Sequence, residues 1–169
     1  MNPKRGATRD GFRAAPIGVV HTRETRDAIK EKRAGIVSEI EVFPEFEEAL
    51  DGLEGFSHVF VISHLNQLRP EQIGPLKVKP KALLRYGLKL EELPTVGVFA
   101  LDSPTRPNPI GLSLVSLVGR KGRTLTVRGL DVFDGTPVLD IKPYESGYRT
   151  EAYSVPEWHA ALLRKAGRV

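Results

Sequence analysis

Short apolar runs, each closed by glycine, proline or a charged cluster, recur along the chain. Residues 35–43 (GIVSEIEVF) carry the period-two alternation of a half-buried strand, with Val37, Ile40 and Val42 among the apolar positions. In residues 124–130, Leu125 and Val127 alternate with Thr124, Thr126 and Arg128, which predicts one dry face and one wet face. Residues 56–65 (FSHVFVISHL) and 95–101 (TVGVFAL) are almost wholly apolar and rich in β-branched and aromatic side chains, so both predict buried strands. Shorter strands are predicted at 16–22, 111–118 and 136–141. The Arg-Lys-Gly-Arg step at 120–123 joins two runs as a hairpin tip whose glycine suits a positive φ.

Helical pattern is scarce. Residues 44–50 (PEFEEAL) open on proline and acids, which favour a helix start, and residues 156–167 place Trp158, Ala161 and Leu162 on one stripe. The charged run 23–32 predicts a loop or a short exposed helix. Between 67 and 94, Pro70, Pro75, Pro80 and Pro94 punctuate a basic, leucine-bearing stretch. It predicts a long connection, or a flap with at most a short helix at 91–93. About six or seven short strands with few helices predict a mainly β protein, a barrel or a sandwich. No βαβ alternation or glycine-rich strand–turn–helix fingerprint is present, which argues against a Rossmann cofactor domain.

The 169 residues are the size of one ordinary domain. A flexible basic leader is expected over 1–14 and one barrel domain with a C-terminal helix over 15–169. The absence of cysteine excludes disulfides, thiolate nucleophiles and thiolate metal sites. No run approaches the roughly 20 apolar residues of a membrane span, and no secretory signal opens the chain, so a cytoplasmic location without membrane contact is expected. The net charge is only +4, but it is unevenly placed. Residues 39–54 hold seven acids and no base, whereas Arg120, Lys121, Arg123 and Arg128 crowd one short stretch. Such segregation suits a polyanion on one face, or simply a solvated surface.

Two segments concentrate polar chemistry. In residues 102–113 (DSPTRPNPIGLS), three prolines stiffen a loop that presents Asp102, Ser103, Arg106 and Asn108 with little entropy left to lose on binding. A rigid crossover satisfying its own backbone explains the same residues, and composition leaves both readings open. In residues 131–142 (DVFDGTPVLDIK), Asp134-Gly135 is a turn dipeptide that can also offer backbone groups to a purine edge. The spacing of Asp131, Asp134 and Asp140 does not match a calcium loop, so no metal is expected there. His58 and His64 lie an even number of residues apart and share a strand face. Neither is accompanied by a serine elbow or a cysteine, which leaves a hydrolytic triad unsupported; His64 is expected to line a pocket.

The segments PIGVVHT, EGFSHVFVISHLNQL, GVFALDSPTRPNPIGLSLV and GLDVFDGTPVLDIKPY, in this order, resemble the TrmO family, also called YaeB- or TsaA-like. The resemblance runs from about Ala15 to Tyr144. It implies a single-sheet β-barrel that binds S-adenosyl-L-methionine, forms a homodimer and methylates N6 of threonylcarbamoyladenosine at position 37, in the anticodon loop of tRNA. By the same resemblance, cofactor contacts are expected from Lys32, Arg33, His64, Asn66, Gln67, Asp102, Ser103, Arg106, Asn108, Leu112, Asp134, Gly135, Thr136 and Pro137. The family commonly has histidine at Asn66 and arginine at Asp102, and its Pro-Arg-Gln stretch is Glu31-Lys-Arg33 here. Longer bacterial members carry a further C-terminal domain, so RNA contacts are expected here from the barrel, its dimer mate and the basic segments: the leader, Lys77 to Arg85, and Arg120, Lys121, Arg123 and Arg128. One carboxylate is enough to assist loss of the N6 proton; Asp134 is the first candidate and Asp102 the second. Methyl transfer to another RNA or a small molecule, and a non-catalytic cofactor-binding module, are the alternatives.

Overall fold

A computed structural model describes residues 13–32 and 35–168. The expected leader lies outside them except for its last two residues. The main sheet comprises β1 (Gly18–His21), β2 (Val37–Val42), β3 (His58–His64), β6 (Ile110–Lys121), β7 (Thr124–Arg128) and β8 (Pro137–Pro143). Their order β1-β2-β7-β6-β3-β8 closes into a barrel, and every neighbouring pair is antiparallel. A two-stranded sheet of β4 (Lys77–Val78) and β5 (Val96–Gly97) stands apart from it.

The alternation along each strand decides what fills the barrel. Val20, Ile40, Val42, Val59, Val61, Val115, Leu125, Val127 and Val138 point inward and are buried, joined by Leu50, Leu130 and Val132 from connections. A barrel this narrow is filled by side chains of valine size, and each buried aliphatic contributes about 1.5–3 kcal/mol. β6 and β7 meet through the 120–123 hairpin, where Gly122 takes φ 58°. β6 is longer than its apolar run predicts, and Ile110, Leu112, Leu114 and Val118 face outward, 44–62% exposed.

Two expectations are corrected. Residues 95–101 are not one buried strand. β5 ends at Gly97, Val98–Ala100 forms a tight 3-10 turn, and Phe99 is 78% exposed. Only Val98 and the partly buried Val96 and Leu101 turn inward, so apolar composition there reflects surface rather than core. The 67–94 connection holds three 3-10 turns rather than one short helix, at Pro70–Gln72, Lys81–Tyr86 and Leu90–Glu92. The charged run 23–32 ends in helix α1 (Arg26–Lys32), and the predicted C-terminal helix is α2 (Glu157–Lys165).

A second small core explains why the flap has a shape. Leu88, Leu93 and Leu162 are buried together, with Leu83, Trp158 and Ala166 packed around them. The Lys79 ammonium donates to the carbonyls of Leu90 and Leu93 at 3.0 and 2.8 Å, pinning the turn. Arg85 donates to the Lys30 carbonyl at 2.7 Å and so ties the flap to α1. Among the described residues no helix is long and apolar enough to cross a membrane.

Candidate functional site

At one end of the barrel, α1, the exit of β3 and the turn before β8 enclose a cavity of about 200 Å³. Ile29 and Lys30 come from α1, Leu65–Leu68 from the β3 exit, and Val132, Phe133 and Thr136 from the turn, with Pro104 closing one side. Most of the lining is apolar, because each element enters the site straight from its core-facing positions.

A polar network holds these walls together. The Arg26 guanidinium lies over the Phe133 ring, 4.4 Å from its centroid, and donates to Gln67 Oε1. Gln67 Nε2 donates to the Asp134 carbonyl at 2.6 Å. Gln67 thus links α1 to the turn. Gly135 sits at φ 74°, a left-handed conformation that favours glycine, and donates its N–H to the Val20 carbonyl at 2.9 Å. Thr136 is buried, and its carbonyl accepts the Val20 N–H at 3.0 Å.

The Asp134 carboxylate faces away from this cavity. Its Oδ1 accepts the Thr22 N–H at 3.0 Å and stands 3.9 Å from His21 Nδ1, and its side chain is 64% exposed. The other nitrogen of His21 meets Glu41 at 2.9 Å, and Glu41 also pairs with Arg123 at 2.7 Å. The hydrogen bond from His21, followed by the positive charge of Arg123, holds the Glu41 carboxyl below the ordinary carboxylate value. This chain of contacts anchors the 131–136 turn from outside.

The structure therefore divides the residues singled out from sequence. Asn66, Gln67 and Thr136 meet at the small cavity, and Gly135 shapes its turn. Asp102, Arg106, Asn108 and Leu112 line a separate open depression of about 650 Å³ with Phe99 and Ile110. Within that loop, Arg106 donates to the carbonyls of Leu101 and Ser103 at 3.4 and 3.0 Å, and Ser103 Oγ accepts the Thr105 N–H at 3.3 Å. The rigid-crossover reading therefore accounts for Arg106 and Ser103. His64 is exposed at the β3 exit and lines none of these cavities, while Pro137 opens β8. Arg33 and the side chain of Lys32 lie outside the described residues. Arg26, Ile29, Leu65, Val132 and Phe133 carry no polar motif, and sequence reading passed over them; the aromatic before Asp134-Gly135 was the available signal.

The basic cluster is not uniformly free. Arg120 bonds to Glu54 at 2.7 Å, to Asp51 at 3.3 Å and to the Leu50 carbonyl at 2.9 Å. Arg123 bonds to Glu41 and to the Val42 carbonyl at 3.0 Å. The acidic stretch 39–54 folds against the basic hairpin, so segregated charge in sequence becomes pairing in space. Lys121 and Arg128 remain exposed.

Comparison with known proteins agrees with this architecture. Residues 26–148 match the family model described as the tRNA-methyltransferase O N-terminal domain. The chain is 44% identical over 133 residues to a probable S-adenosyl-L-methionine-binding protein of Pyrococcus abyssi, covering 76% of this chain and 66% of that one. It is 39% identical over 132 residues to the tRNA (adenine(37)-N6)-methyltransferase of Rattus norvegicus, covering 75% of this chain and 27% of that one. A crystal structure of TrmO superposes with a TM-score of 0.65 at 33% identity, covering 85% of this chain and 63% of that one. The chain thus spans about two thirds, or less, of the length of each of these three.

Proposed function

The chain belongs to the TrmO family, and from that premise we propose that it is an S-adenosyl-L-methionine-dependent tRNA methyltransferase acting on N6 of adenosine 37. Threonylcarbamoyladenosine is the proposed acceptor, the homodimer the proposed working form and the cytoplasm its proposed location. The observation that carries the reading is the cavity between α1, the β3 exit and the 131–136 turn. Leu65, Leu68, Val132 and Phe133 offer an apolar slot, and Asn66 and Thr136 add polar groups to its lining. At about 200 Å³ the slot is smaller than the roughly 300–1,000 Å³ of sites that enclose a whole drug-sized ligand. It therefore fits one ring system of the cofactor, with the remainder reaching past Lys30, Pro104 and Asp131.

When bound, the cofactor supplies an electrophilic methyl group on a sulfonium. The chain's own contribution is placement and exclusion of water, which can remove several kcal/mol of barrier in an in-line displacement. Gln67 and Arg26 keep the slot walls in register before binding, so less order has to be acquired on association. The outward apolar Ile110 and Val118 on β6, with the exposed Phe99 beside Ile110, support a homodimer, since exposed apolar surface of this kind is costly to leave in water. In the 120–128 cluster Lys121 is exposed for a phosphate contact, as are Lys77, Lys81 and Arg85 in the flap, which makes salt dependence an expectation.

Calorimetry with the cofactor followed by transfer of labelled methyl to tRNA carrying the threonylcarbamoyl group tests the proposal. Binding and transfer are expected. Tight binding without transfer to any tRNA would instead indicate a cofactor-binding module.

A further inference from the structure

The geometry points to Asp131 as the proton acceptor of the transfer, and to the depression beside it as the seat of the acceptor base. The inference rests on the methyltransferase reading above and deepens it. β7 pairs with β6 as far as Ser116 opposite Arg128 and then departs. Gly129 turns its N–H to the Ile36 carbonyl at 2.8 Å instead. The Ser113 hydroxyl reaches across the gap so opened and donates to Asp131 Oδ1 at 3.1 Å. On one side of Asp131 lies the 200 Å³ cavity, and on the other a depression of about 460 Å³. Among the described residues Asp131 is the one that lines both.

The depression suits a purine bearing an anionic arm. Leu112 and Leu114 supply apolar surface. His58, Ser116 and Arg128 stand opposite one another in a row across β3, β6 and β7, with His58 Nε2 3.2 Å from Ser116 Oγ. The exposed Arg128 guanidinium at the end of that row matches a carboxylate such as that of the threonylcarbamoyl group. Asp134 is less well placed because Thr22 holds it outside the cavity, and Asp102 because it lines the acceptor's depression without reaching the 200 Å³ cavity on the cofactor side.

In the step itself the N6 lone pair forms the new N–C bond while the carbon–sulfur bond breaks and its electron pair stays on sulfur. The N6 proton passes to an Asp131 oxygen, leaving a neutral thioether, a methylated nitrogen and a carboxyl that returns its proton to water.

The test uses the full chain, labelled S-adenosyl-L-methionine and tRNA bearing threonylcarbamoyladenosine. Asp131→Asn keeps an oxygen for the Ser113 hydroxyl but takes no proton. Its single-turnover rate is expected to fall about 10²- to 10⁴-fold. Cofactor affinity by calorimetry should stay near wild type, and Asp131→Glu should restore part of the rate. Arg128→Gln should raise KM for the modified tRNA about tenfold with kcat nearly unchanged. Near wild-type transfer by Asp131→Asn, or loss of cofactor affinity or of the fold together with the rate, would overturn the assignment. A wild-type protein that binds cofactor yet methylates no tRNA would overturn the underlying reading, and this inference with it.

Discussion

Replacing Gln67 with alanine removes both contacts that tie α1 to the 131–136 turn. The bond from Gln67 Nε2 to the Asp134 carbonyl joins neutral groups and is worth about 1 kcal/mol; the one from the Arg26 guanidinium is charge-assisted but only partly shielded, so about 1 kcal/mol more is reasonable. No apolar wall of the slot is lost, because Gln67 contributes its amide rather than packing. If the loss of about 2 kcal/mol falls on cofactor association, Kd rises roughly 30-fold. Gln67→Glu separates the two contributions: it still accepts from Arg26 but turns a carboxylate toward the Asp134 carbonyl, and a loss of about tenfold or more is expected. Titration calorimetry reads both, and Arg26→Ala completes a double-mutant cycle whose coupling should approach 1 kcal/mol. An alanine variant that binds the cofactor as tightly as wild type would refute the reasoning, because the turn would then hold its position without α1.

Other contacts make separate predictions. Gly135→Ala meets no close atom but forces a left-handed residue to carry a Cβ, which costs about 1–2 kcal/mol and should lower Tm by about 4 °C in a calorimetric scan. Glu41, held low by His21 and then Arg123, stabilises the fold above the ordinary carboxylate value of 4.5 and loses that contribution as pH falls through its depressed value. Thermal melts should therefore show wild type ahead of Glu41→Gln at neutral pH and the gap closing in acid; a gap that widens in acid would contradict the pairing. Leu162→Ala opens a hole in the second core and should speed amide exchange across residues 81–93 while the barrel strands stay protected, at a cost of about 2–4 kcal/mol.

The barrel was legible where one face is dry and the other wet. In 124–128 the buried Leu125 and Val127 alternate with polar neighbours, and period-two reading found the strand to within its last residues. It failed at 95–101 because apolar side chains there lie on the surface: Phe99 carries the signature of a core residue without being one. The length of β6 was missed for another reason: Gly119, Arg120 and Lys121 have no apolar run, and pairing with β7 carries the strand over them. Gln67 and the Asp134–Thr136 turn, which the family motifs single out, are joined by the Gln67–Asp134 hydrogen bond, and Gln67 and Thr136 line one cavity. The motifs said nothing of side-chain direction, so Asp134 and then Asp102 stood as candidate bases, and Asp131 was weighed only in a metal spacing that did not fit. The backbone separates them, since Thr22 captures Asp134 while Ser113 draws Asp131 between two cavities. Charge was least legible of all, because Glu41, Asp51 and Glu54 reach Arg123 and Arg120 only through barrel closure.

The proposed reaction passes a methyl group from S-adenosyl-L-methionine to N6 of adenosine 37 at this site. Nucleoside mass spectrometry of tRNA incubated with the protein and isotopically labelled cofactor tests it most directly. The account predicts label on N6 of threonylcarbamoyladenosine at position 37, absent from tRNA lacking that modification. Label on another nucleoside, or equal labelling of unmodified tRNA, would contradict it.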